Sequence, residues 1–166
     1  MSTLTQSHHV AQALRFLAAT NKYIGIGRTA AWDVETAPPA PSVIATGVDT
    51  PICYAPLSKA CLVVADAGGA ITFGGDTYLE VAPEDAYTVG ATQVYVEAQL
   101  NGAAAPLVTY RQAALFSGLT KAGGAGAGIL LPADVTDSGI LEVLDNRRPT
   151  YRAADTLDVI AHLLQF

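Results

Sequence analysis

The chain has 166 residues, 51% of them hydrophobic and only 14% charged, and 9 Lys+Arg against 15 Asp+Glu leave a net charge of −6. High apolar content with few charges is the opposite of the disordered signature. No uncharged apolar stretch reaches the ~18 residues of a spanning helix, and an acidic chain without a basic run is a poor match to a phosphate backbone, so neither a membrane nor nucleic acid is expected as a partner.

In chain order, Met1 to Val10 lacks the basic start and continuous apolar stretch of a signal peptide, so synthesis in a cytoplasm is expected. Val10, Leu14 and Leu17, with Ala13 on the same face, predict an amphipathic helix over about 8–19, capped by Ser7 and stopped by Thr20-Asn21. Lys22 to Gly27 reads as a short buried strand. Thr29 to Pro41 follows, with Trp32, Asp33 and Glu35 ahead of Pro38, Pro39 and Pro41. The prolines fix φ and remove amide donors, so this piece is an extended arm or wrap-around connection.

From Ser42 the pattern is β. Ala60 to Ala65 and Thr77 to Val81 are strands, with Gly68-Gly69 and Gly74-Gly75 as punctuation. The clearest strands are Thr92 to Leu100, where Val94, Val96, Ala98 and Leu100 share a face, and Leu107 to Leu115, with Asn101-Gly102 as a hairpin turn pair between them. Lys121 to Gly128 is a glycine-rich loop. Ile140 to Leu144 is a strand turned by Asp145-Asn146-Arg147-Arg148-Pro149. In Ala153 to Phe166, Leu157, Ile160, Ala161 and Leu164 fit a helix, while Leu157, Val159, Ala161 and Leu163 fit alternation; the strand is preferred. The fold class expected is mainly β (α+β): an antiparallel β-sandwich-like domain with an N-terminal amphipathic helix and an extended Pro-rich arm. Residues 1–41 would hold the helix, short strand and arm, and 42–166 the β domain, within a single compact domain.

Residues with chemical potential do not form a catalytic pattern. Gly25-Ile26-Gly27-Arg28-Thr29-Ala30 matches a dinucleotide-binding spacing, but that reading needs a following helix to hold the pyrophosphate. Trp32 and the prolines follow instead, so the glycines are read as serving backbone shape. His8 and His9 are adjacent and point about 100° apart on a helix, unable to share one metal ion. Ser117 lacks the G-x-S-x-G elbow. Glu84-Asp85, Asp134 and Asp137 read as solvated turn carboxylates, and Cys53 and Cys61 as buried reduced thiols. No catalytic, cofactor-binding or metal-binding residue is assigned.

Three segments, taken together and in this order, carry a resemblance: K-Y-I-G-I-G-R-T-A-A-W-D-V-E-T-A-P-P-A-P from Lys22 to Pro41, T-Y-R-Q-A-A-L-F-S-G-L from Thr109 to Leu119, and G-I-L-E-V-L-D-N-R-R-P-T-Y-R-A-A-D-T-L-D-V-I-A-H-L-L-Q-F to the C-terminus. They resemble the baseplate wedge subunits of contractile-tailed, T4-like bacteriophages. That family has a strand followed by G-R-[ST]-x-x-W, an acidic residue and a P-P-x-P arm. It ends in an N-R-x-P turn, an R-x-x-D segment and an apolar strand closing on Phe. The resemblance covers roughly residues 15–41 and 92–166. It implies a structural virion protein of the tail baseplate, made in the host cytoplasm, without catalysis, cofactor or metal. Its implied partners are other baseplate and tail proteins, with self-association also open.

The residues themselves carry an assembly role by a separate argument. Arg28, Trp32 and the Pro38, Pro39, Pro41 arm form a rigid element with an aromatic and a guanidinium, the side chains most enriched at interface hot spots. Tyr110-Arg111 and Arg147-Arg148 have the same character. The other reading keeps Trp32 on the domain's own core with Arg28 paired to Asp33 or Glu35, and Arg147-Arg148 simply solvated. Ala37–Val48 and Ala122–Ala133 contain no charged residue, which suits burial against neighbours. A β-sandwich ligand- or receptor-binding tail module is the alternative, thinly supported by one Trp and scattered Tyr; a small cell-wall hydrolase is a third class.

Overall fold

A computed structural model describes residues 3–102 and 104–166. Helix α1 spans Gln6–Ala18 and buries Val10, Ala13 and Phe16. This stripe keeps Val10 and Ala13 of the expected face but buries Phe16 in place of Leu14 and Leu17, because Phe16 stacks on Phe166 with ring centroids 5.6 Å apart. The cap is Thr5, whose hydroxyl accepts from the His8 amide; Ser7 lies within the first turn.

The strands are β1 (Tyr23–Gly27), β2 (Pro51–Ala65), β3 (Ile71–Phe73), β4 (Asp76–Val81), β5 (Gln93–Asn101), β6 (Thr109–Ser117), β7 (Thr120–Lys121), β8 (Val135–Asp137), β9 (Ile140–Tyr151) and β10 (Leu157–Gln165), with a one-turn helix α2 at Ala86–Val89. The main sheet runs β10-β5-β2-β1-β6-β9, β4 also pairs with β2 and β3 with β4, and β7 and β8 form a separate ribbon. The ladders resolved residue by residue are antiparallel. The mainly β class expected from sequence holds.

The chain divides into two compact units. One holds the segment up to Ala19, Ser58–Glu97 and Ala161–Phe166; the other holds Thr20–Leu57 and Ala98–Ile160. The first is built on Cys61, Val63, Ile71, Tyr78 and Tyr95. Its β3–β4 hairpin turns at Gly74-Gly75, both with positive φ (62° and 95°), the backbone that a two-residue turn matching strand twist requires. The second is built on Tyr23, Val48, Tyr54, Ala114, Phe116, Leu119 and Leu130. Here β1 is buried along its whole length. A Cβ on Gly25 would sit 2.9 Å from the Phe116 and Tyr54 rings, and one on Gly27 would sit 2.7 Å from Val48 and the Asp49 carbonyl. The two glycines therefore serve close packing, and no helix follows them.

Three expectations are corrected, and a fourth is upheld. Strand β2 begins at Pro51 rather than Ala60: Pro51 and Pro56 hide it from propensity, yet its first half lies in the β1 ladder, Ile24 opposite Ala55 and Ile26 opposite Cys53. Asn101-Gly102 does not turn a hairpin, since β2 and β1 stand between β5 and β6 in the strand order; Ala103 of that loop lies outside the described residues. Residues 145–149 do not turn β9. The strand runs through them, and their turn chemistry is absorbed by a bulge, because Tyr110 faces Thr150 while Gln112 already faces Asn146. Pro149 is tolerated there because β9 is an outer strand. In β10 the strand reading holds, but Ile160 and His162 are the buried pair, while Leu157 and Val159 of the apolar alternation stay half exposed.

Candidate assembly interface

The connection from β1 to β2 is the arm, residues 28–50, and its two ends meet. Arg28 and Thr50 both take left-handed backbone conformations (φ 57° and 48°), uncommon for residues with side chains. Between them the Arg28 amide donates to the Asp49 carbonyl, and Arg28 Nη1 lies 2.8 Å from Asp49 Oδ2. Arg28 therefore pairs with Asp49, not with Asp33 or Glu35. Its guanidinium also stacks on Trp32, 3.8 Å from the ring centroid.

Strands β6 and β9 then hold the arm through both its backbone and its side chains. Trp32 is buried, and its Nε1 donates to the Arg147 carbonyl at 2.9 Å. Arg111, 8% exposed, donates through Nε and Nη2 to the Glu35 carboxylate and through Nη1 to the Thr29 carbonyl. The Arg111 hydrogen bonds hold the Glu35 carboxyl below the usual carboxylate range. Arg148 Nε donates to the Thr36 carbonyl, and Asn146 Nδ2 to the Pro39 carbonyl. Gln112 joins both sides, accepting from the Asp49 amide and donating to Asn146. Arg147 is paired with Asp145 at 2.6 Å and stands 6.0 Å from the Tyr110 ring.

The structure thus gathers Arg28, Trp32, Arg111, Arg147 and Arg148 around one arm, with Pro38, Pro39 and Pro41 along it, while Tyr110 is buried on β6 beside Arg147. Most of these side chains are spent on tethering. What the tether displays is the next stretch: Val43 is 99% exposed and Ile44 85%, with Val34 half exposed nearer the base. The loop then returns through Val48 into the core beside Leu130 and Ala125, so both charge-free segments reach the same cluster. Sequence reading missed the tip, Asp49, Gln112 and Asn146. It also missed Arg152, whose fully buried guanidinium binds Asp158 at 2.9 Å and the carbonyls of Leu100 and Pro106 at 3.0 Å.

The other reactive groups are held within the fold. The Ser117 hydroxyl donates to the Glu142 carboxylate within the β6–β9 pair. Cys53 and Cys61 are free and buried, and burial pushes both thiols up to about 11, with the Glu80 charge adding to it at Cys61. Among the described residues, no three His, Cys, Asp or Glu side chains are grouped to hold a metal ion.

A family model described as a baseplate wedge 3 tail fiber network component matches residues 1–166. "Virion protein 3" of Enterococcus phage phiEF24C is 33% identical over 141 residues, which cover 81% of this chain and 78% of that protein.

Proposed function

Because the chain belongs to the family of baseplate wedge 3 tail fiber network components, and is a structural protein of the phage virion, we propose that it docks in a contractile-tail baseplate through the tip of its arm. The observation that carries this reading is the contrast within the arm. Its base is tied by a dense polar network, while Val43 and Ile44 at its far end are open to solvent. A segment ordered at such cost and left apolar at its end is built to present that end. Arg28, Trp32, Pro38, Pro39, Pro41, Tyr110, Arg111, Arg147 and Arg148 act in the interface by fixing where the tip stands.

The partner surface is apolar and uncharged, since residues 37–48 offer no charge to match. Burying the two tip side chains is worth about 3–6 kcal/mol gross, no more than the entropy lost on association. The tip is therefore one contact among several on neighbouring baseplate and tail proteins. The role is assembly rather than catalysis.

The test is complementation of a phage lacking this gene, scored by infectious titre and by electron microscopy of tails. Chain carrying Val43→Asp with Ile44→Asp should fold normally yet fail to restore complete, contraction-competent tails. Full restoration by that variant would sink the docking reading.

A further inference from the structure

The outer strand β10 has one neighbour, β5, and ends the strand order. Natural sheets guard such an edge with Lys, Pro, a bulge or a covering segment, because its unpaired amides and carbonyls template another strand. Leu157–Gln165 contains no Lys, Arg or Pro. Its single charged side chain, Asp158, is already tied to Arg152. No other described strand pairs with it. Its open row of amides and carbonyls is a template for another extended strand.

The direction of that row follows from one bond. The Phe166 amide donates to the Thr92 carbonyl, immediately ahead of β5. Backbone groups alternate along a strand, so 164, 162, 160 and 158 also face β5, while Leu157, Val159, Ala161, Leu163 and Gln165 turn their amides and carbonyls outward. The same residues carry the apolar face, and Leu157 and Val159 are 55% and 52% exposed on it.

We propose that β10 pairs antiparallel with β10 of a second copy of this chain, about a two-fold axis at Ala161. This register places Val159 opposite Leu163 of the second copy, Leu157 opposite Gln165 and Ala161 opposite itself. Every outward residue then meets an outward residue, which is the condition for antiparallel hydrogen-bonded pairs. Asp158 falls opposite Leu164, so no like charges meet. The half-exposed Val159 gains an apolar cross-strand neighbour, and an isologous contact closes, leaving no edge to propagate. This strand shares no residue with the arm tip, so either proposal can fail alone.

The experiment is sedimentation equilibrium of the full chain over a micromolar concentration series. The wild type should reach twice the 17.1 kDa chain mass. Val159→Pro removes an outward amide without touching the β5 ladder, and Val159→Lys adds the missing guard charge; each should weaken the dimer by about tenfold or more. Far-ultraviolet circular dichroism and unchanged thermal midpoints would show that both variants fold. A wild type that stays monomeric across the series overturns the proposal. So does a dimer that folded Val159→Pro and Val159→Lys leave as tight as wild type.

Discussion

The two outer strands of the main sheet, β9 and β10, have opposite fates. Strand β9 carries Arg147, Arg148 and Pro149 in a bulge, and the arm lies along it, with Trp32 taking the Arg147 carbonyl. Strand β10 has none of these devices and shows Leu157 and Val159 to solvent. A guarded edge can carry an exposed apolar tip without inviting strand addition, while an unguarded edge in an assembly protein reads as a surface meant for another strand. The difference separates the two proposed contacts: one through side chains displayed beyond β9, the other through backbone along β10.

The largest expected effect comes from the residue that anchors β10. Arg152→Ala leaves Asp158 and the Leu100 and Pro106 carbonyls without their buried partner, and should cost about 4 kcal/mol in urea unfolding. A cost below 1 kcal/mol would mean that β10 is held by its ladder alone. Next is Trp32→Ala, which removes the ring that packs under Arg28 and bonds to β9; about 3 kcal/mol should be lost. Proteolysis of that variant should begin within residues 33–48, and cleavage elsewhere first would break the view that the arm is tethered at Trp32.

A smaller effect depends on pH. Glu35 has its carboxyl lowered by the Arg111 hydrogen bonds, so its contribution is complete above the unfolded value of about 4.3 and is lost as pH falls through the lower folded value. Wild type should therefore lose more stability than Glu35→Gln between neutral pH and about pH 3. Parallel urea midpoints for the two would remove Glu35 from the tether. Smallest of all, Val43→Ser with Ile44→Ser should change folding stability by no more than about 0.5 kcal/mol, because neither side chain touches a core. A larger loss in calorimetry would mean that the tip packs on its own chain.

Much of the ladder was legible because its signal is local. Alternation marked β5, and proline chemistry marked the arm. The failures share one physical cause, which is pairing between distant segments. Pro51 and Pro56 argue against a strand until β1 is seen beside them, and 145–149 reads as a turn until Gln112 and Tyr110 fix its register. Of the site, the residue types were visible but their roles were not. Trp32 and Arg111 have the composition of an interface and are largely buried in a tether, whereas Val43 and Ile44 looked unremarkable in a bland stretch. Only burial separates the two cases.

The meeting of Arg28 with Asp49 has a wider consequence. With its ends pinned together, the arm is a cassette inserted between two strands that would pair without it. Loop-closure cost rises by only about 0.6 kcal/mol per doubling of length. The segment between the pins can therefore lengthen, shorten or change its sequence while β1 and β2 keep their register, and one scaffold can be refitted to a different neighbour by rewriting a dozen residues.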